Sequence, residues 1–140
     1  MTAAKAVPQA ATEPDRVWFR FMRLHQRMLM QMTGRIRTLG LSIPQFDLLS
    51  TLTEQEGISQ SELAEKLYVT KGNVSGLVDR LVQAGLVERR AIAGDRRSYA
   101  MHLTSEGRRL AEAGIAAQRD FVASTLGKLK PDDLAELDRL

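Results

Sequence analysis

The chemistry available to this chain lies in cations and amides rather than in nucleophiles. Lys71, Asn73, Arg80, Arg96 and Arg97 fall in one stretch, with Thr70, Gly72, Ser75 and Gly76 interleaved at its start. A lysine ammonium can contact phosphate or guanine, and an asparagine amide can pair bidentately with adenine. Gly72 and Gly76 permit close approach of the backbone. From Lys71 to Arg97 six basic residues (Lys71, Arg80, Arg89, Arg90, Arg96, Arg97) stand against Asp79, Glu88 and Asp95, a balance of +3. Over Pro131–Leu140 the balance is −3, with Asp132, Asp133, Glu136 and Asp138 against Arg139. The net charge of +3 and the isoelectric point near 9.6 hint only weakly at a polyanionic partner. The gathering of positive charge in one segment is the stronger sign.

Other chemistries are excluded or disfavoured. The chain has 0 cysteines, so it has no disulfide, thiolate nucleophile, zinc ribbon or redox-sensing thiol. His25 and His102 are the only histidines, which argues against a histidine-rich metal site. Gly72, Gly76 and Gly94 are scattered over two elements and do not form a phosphate-cradling loop. We expect no enzyme, no metal and no cofactor.

The elements that must position these residues read as mainly helical. A length of 140 residues is one domain's worth, with 44% hydrophobic and 26% charged residues. Aromatics make up 5%, so the core must be built from Leu, Val, Ile, Ala and Met. Residues 1–15 are Ala/Pro/Gln-rich and read as a disordered tail, without the apolar run of a signal peptide. No stretch is apolar enough to span a bilayer, so we expect a cytoplasmic protein with no membrane partner.

From Val17 to Leu39, large residues recur at steps of four and three: Trp18, Met22, His25, Leu29, Met32, Ile36 and Leu39. This predicts a long helix, either an ordinary core helix or a dimerisation helix. Gly40 can end it. Ser42 and Gln45 have capping-box spacing, with Pro44 in the first turn of a second helix that buries Phe46, Leu49 and Leu52 and stops near Gly57. Ser59 and Glu62 cap a third helix running to about Leu67. Tyr68-Val69 makes a turn, and Thr70 caps a fourth helix whose inner face is Val74, Leu77, Val78 and Leu81. Gly85 closes it. Two short helices joined by a tight turn form a helix-turn-helix, a motif found both in DNA readers and in proteins that never touch DNA.

Leu86–Ile92 and Ser98–Leu103 read as strands, joined by a turn over 93–97 with Arg96 and Arg97 at its tip. A hairpin directly after the second helix of the pair is a wing. Thr104 caps another long helix, rich in small residues, that reaches about Leu126. A last helix begins at Pro131, with Leu134, Leu137 and Leu140 on its apolar face. That pattern is still running at Leu140, which points to further residues beyond it.

This order of elements, together with Gly94-Asp-Arg-Arg-Ser-Tyr-Ala-Met-His-Leu-Thr-Ser-Glu-Gly107, resembles the MarR (multiple antibiotic resistance regulator) family. Asp95 and Arg97 match its wing pattern, and Leu103-Thr104-x-x-Gly107 matches the opening of the helix that follows. Gln45-Phe46, Leu77-Val-Asp-Arg-Leu81 and Gly85-Leu-Val87 are similar too. The resemblance implies a winged helix-turn-helix lobe over residues 42–103 and a dimerisation lobe from helices in 16–39 and 104–140. Together these make one domain over 16–140.

It further implies a ligand-responsive repressor that binds a pseudo-palindromic operator in double-stranded DNA as a homodimer. Thr70, Lys71, Gly72, Asn73, Ser75 and Gly76 would line the start of the recognition helix, and Arg80 would lie near phosphate. Arg97 would enter the minor groove beside Arg96, with Asp95 orienting it or merely shaping the hairpin. Some relatives bind small phenolic or aromatic carboxylate effectors. Trp18, Phe21, Met22, His25, Met28 and Phe46 could line such a cleft here, or could simply be core. The competing reading is a winged-helix module that binds protein, or binds nucleic acid non-specifically as an architectural factor.

Overall fold

The computed structural model describes residues 12–67 and 73–140. Contacts divide the chain into two compact units that meet between Arg35 and Ile36. The first is most of helix α1, Glu13–Arg37. Its start corrects the expected tail, because Glu13, Pro14 and Asp15 are helical. Thr12 and Asp15 close that first turn reciprocally. The Thr12 N–H donates to the Asp15 carboxylate at 3.2 Å, and the Asp15 N–H donates to the Thr12 hydroxyl oxygen at 3.4 Å. Along α1 the large apolar residues stay largely in solvent, with Trp18 61% and Phe21 68% exposed.

The second unit is built around α2, Ile43–Glu54. Ser42 and Gln45 form the expected capping box, and Phe46, Leu48, Leu49 and Leu52 are buried. Helix α3, Gln60–Lys66, starts where the Ser59 hydroxyl accepts the Glu62 N–H at 3.1 Å, and it buries Leu63. Helix α4, Val74–Gln83, buries Val74, Leu77, Val78 and Leu81, the four expected inner residues. Asn73 stands at its N-cap position without a side-chain cap bond. The expected turn at Tyr68-Val69 and the cap at Thr70 lie outside the described residues.

Strands β1, Val87–Ile92, and β2, Asp95–Leu103, pair antiparallel from Val87–Leu103 to Ala91–Tyr99. The next pair is Ile92–Asp95, so Arg96, Arg97 and Ser98 bulge from β2 with no partner on β1. The turn is therefore shorter than the expected 93–97. It closes at Ala93-Gly94, where Gly94 takes φ +82°, and both arginines sit on the strand side of it. The connection between α2 and α3 adds a short edge to this hairpin. The Gly57 N–H donates to the Met101 carbonyl and the Met101 N–H to that of Ile58, both at 2.8 Å.

Helix α5, Ser105–Ser124, is capped by Thr104, whose hydroxyl accepts the Gly107 N–H at 3.0 Å and donates to the Gly85 carbonyl at 2.6 Å. Small residues on α5 serve close packing within this unit. A Cβ on Gly107 would lie 1.9 Å from the Leu86 carbonyl oxygen, and one on Gly114 2.5 Å from the Phe46 ring. The helix ends two residues earlier than expected, and a 3₁₀ turn, Leu126–Lys128, follows. Helix α6, Pro131–Arg139, buries none of its residues and leaves Leu134, Leu137 and Leu140 exposed.

Candidate nucleic-acid interface

With Val74, Leu77, Val78 and Leu81 turned into the core, helical periodicity turns Ser75, Gly76, Asp79 and Arg80 outward, and all four are exposed. Asn73 is exposed beside them. Thr70, Lys71 and Gly72 lie outside the described residues. The bulge does the corresponding work on the wing. Freed from strand pairing, Arg96 and Arg97 are exposed.

Helices α3 and α4 and the wing enclose an open groove of about 820 Å³. Ser59, Gln60 and Ser61 line it from the start of α3, Ser75 and Asp79 from α4, and Arg97, Ser98 and Tyr99 from β2. The fold thus brings Ser75 and Arg97, which are distant in sequence, to one surface.

Asp95 acts on the backbone. Its carboxylate accepts the Arg97 N–H at 2.9 Å, and no ion pair between Asp95 and the Arg97 guanidinium is formed among the described residues. This bond, with a further one from the Ser98 hydroxyl, holds the carboxyl below the usual aspartate range. Asp95 is therefore ionised at neutral pH, and it shapes the bulge that carries Arg97.

The six cations of the basic segment are not equivalent. The Arg89 guanidinium is bonded to Asp79, bracing β1 against α4, and Arg90 lies 3.5 Å from Glu88. Among the described residues Arg80, Arg96 and Arg97 have no such carboxylate partner. Local charge counting could not separate the two groups, because Arg89 and Asp79 lie on different elements. The groove-lining polar residues at the start of α3 also escaped it; their signal was the capping Ser59.

Of the expected effector-lining residues, Trp18, Phe21 and His25 are exposed on α1, while Met22 and Met28 are half-buried. Phe46 belongs to the second unit, where it is buried against Gly114. Among the described residues no group of His, Asp or Glu could hold a metal ion. No described helix is long and apolar enough to cross a membrane.

Two short helices, a hairpin directly after them and unpaired arginines beside the second helix define a winged helix-turn-helix DNA-binding protein. Known proteins agree. The family model described as MarR family matches residues 41–99. The HTH-type transcriptional repressor Rv2887 of Mycobacterium tuberculosis is 32% identical over 110 residues, 79% of this chain and 79% of the relative. Bordetella bronchiseptica BpsR, solved in a study of regulation of its DNA binding by 6-hydroxynicotinic acid, matches with a TM-score of 0.75 at 25% identity. That match covers 89% of this chain and 94% of BpsR. A mutant MarR from E. coli complexed with operator DNA matches in fold, with a TM-score of 0.77 at 23% identity over 92% of this chain and 95% of that one. The chain belongs to the MarR family, and it is a DNA-binding transcriptional regulator.

Proposed function

We propose that this regulator is a repressor that binds a pseudo-palindromic operator as a homodimer and releases it when a small aromatic ligand binds. The observation that carries the DNA reading is the groove shared by α4 and the wing, with Arg80, Arg96 and Arg97 unpaired among the described residues. In this reading Asn73, Ser75 and Gly76, continuing from Thr70, Lys71 and Gly72, face the major groove. Arg80 touches phosphate, and Arg97, presented by the Asp95-held bulge with Arg96, enters the minor groove.

The apolar faces of α1 and α6 support a homodimer whose interface is made by helices in 16–39 and 104–140, while 42–103 forms the DNA-binding lobe. A dimer presents two recognition helices and so requires two half-sites about one helical turn apart. Sedimentation of the protein with a footprinted promoter fragment should give two protomers per inverted repeat. A monomer on DNA, or uniform protection without a repeat, would favour the architectural alternative. The exposed and half-buried aromatic and Met side chains of α1, Trp18, Phe21, Met22, His25 and Met28, support a phenolic or aromatic carboxylate effector. The BpsR study provides a precedent in a related fold.

Gly76 offers a finer test. It is exposed, and nothing described lies within 4 Å of where its Cβ would stand. Gly76→Ala should therefore stabilise α4, by roughly 0.5–1 kcal/mol. If the helix backbone approaches base edges there, the same methyl should weaken operator binding. A higher melting temperature with unchanged affinity would remove Gly76 from the interface.

A further inference from the structure

Glu56 lies in the turn between α2 and α3, outside the groove described above, yet its carboxylate joins three parts of the fold. Oε1 accepts the backbone N–H of Leu103, the last residue of β2, at 3.1 Å. His102 Nδ1 lies 3.6 Å from the same oxygen. Oε2 is bonded to the guanidinium of Arg108, in the first turns of α5. Gly57, the next residue, takes φ +86° and bonds the Met101 carbonyl, and a Cβ there would lie 3.4 Å from the His102 ring. One side chain thus ties the base of the wing to the helix that leaves it.

We propose that Glu56 is a positioning residue for DNA binding, setting the angle at which the wing leaves α5 and so where Arg97 is delivered. This rests on the reading of Arg97 as the wing's DNA contact. The wing is a two-stranded hairpin, a structure with little stability of its own. Six residues at roughly 3.3 Å each put Arg97 up to about 20 Å from Leu103. A pivot of about 10° at the base would therefore move Arg97 by up to roughly 3.5 Å, enough to break any hydrogen bond made at its tip. Partly exposed ion pairs add little to folding stability, so loss of Glu56 should be felt in binding more than in melting.

The sign of the effect is diagnostic. Removing a carboxylate from a DNA-binding protein should tighten binding if charge alone matters. A lost positioning residue should loosen it. The probe is the duplex that the full-length parent selects from a randomised pool, and the proteins are the parent, E56A, R97A and the double variant. E56A should bind about 5-fold or more weakly. The double variant should bind no more weakly than R97A alone, because a misplaced arginine and a missing one are the same loss. E56Q keeps an acceptor for Leu103 but loses the charge that holds Arg108, and should fall between parent and E56A. It replaces E56A in the cycle if that variant does not fold.

Unchanged or tighter binding by E56A and E56Q would overturn the proposal. So would losses that simply multiply in the double variant, which would place the action of Glu56 away from Arg97. If R97A itself binds like the parent, the reading of the wing fails first, and this inference fails with it.

Discussion

Replacing Arg97 with alanine is expected to weaken operator binding by about 1–3 kcal/mol for each wing of a dimer while leaving the preferred half-site sequence nearly unchanged. A guanidinium in a narrow minor groove responds to groove width more than to base identity. Asp95→Ala should give a smaller loss in the same direction, because the Asp95 carboxylate accepts the Arg97 backbone N–H and so holds the bulge in shape. Asn73→Ala should behave differently, relaxing preference at one base pair per half-site, since major-groove edges differ between bases. Selections on randomised duplexes, run for all three variants, separate these outcomes. Parent-like affinity of Arg97→Ala at moderate salt would reduce the wing to a structural hairpin.

Binding should also fall steeply with salt. Arg80, Arg96 and Arg97 supply three cations per protomer without carboxylate partners among the described residues, and Lys71 stands in the same basic segment. A dimer would then make about 6–10 phosphate contacts, for which counterion release predicts a loss of about 10³–10⁵-fold between ~50 and ~200 mM salt. Arg89→Gln should change this slope least among the arginines of the segment, because Asp79 already holds the Arg89 guanidinium. Titrations at several salt concentrations give the slope directly. A salt-insensitive interaction would point to a protein partner.

The local signals in the sequence were legible because they act over three or four residues. The box of Ser42 and Gln45, the cap of Thr104 on Gly107 and the left-handed Gly40 and Gly85 all stand where spacing placed them. So did the inner face of α4. What escaped was decided across the fold. The Arg96–Ser98 bulge depends on the pairing of Ile92 with Asp95, which a turn rule cannot register.

The small residues of α5 were visible, but their partners were not. Gly107 meets the Leu86 carbonyl and Gly114 the Phe46 ring, both within the second unit. Glu56 carries no pattern at all; its role comes from Leu103 and Arg108, far along the chain. Thr12 and Asp15 were a missed local signal, masked by the low apolar content around them.

The bulge at Arg96–Ser98 also bears on how such a regulator can diverge. Its Arg96 and Arg97 face solvent and oppose no residue of β1, so replacing them disturbs neither the strand ladder nor the core. The buried framework of Leu86, Val87, Met101 and Leu103 beneath them is fixed separately. With Arg96 and Arg97 contacting DNA as proposed, changes in promoter affinity could accumulate at those two positions without passing through poorly folded intermediates.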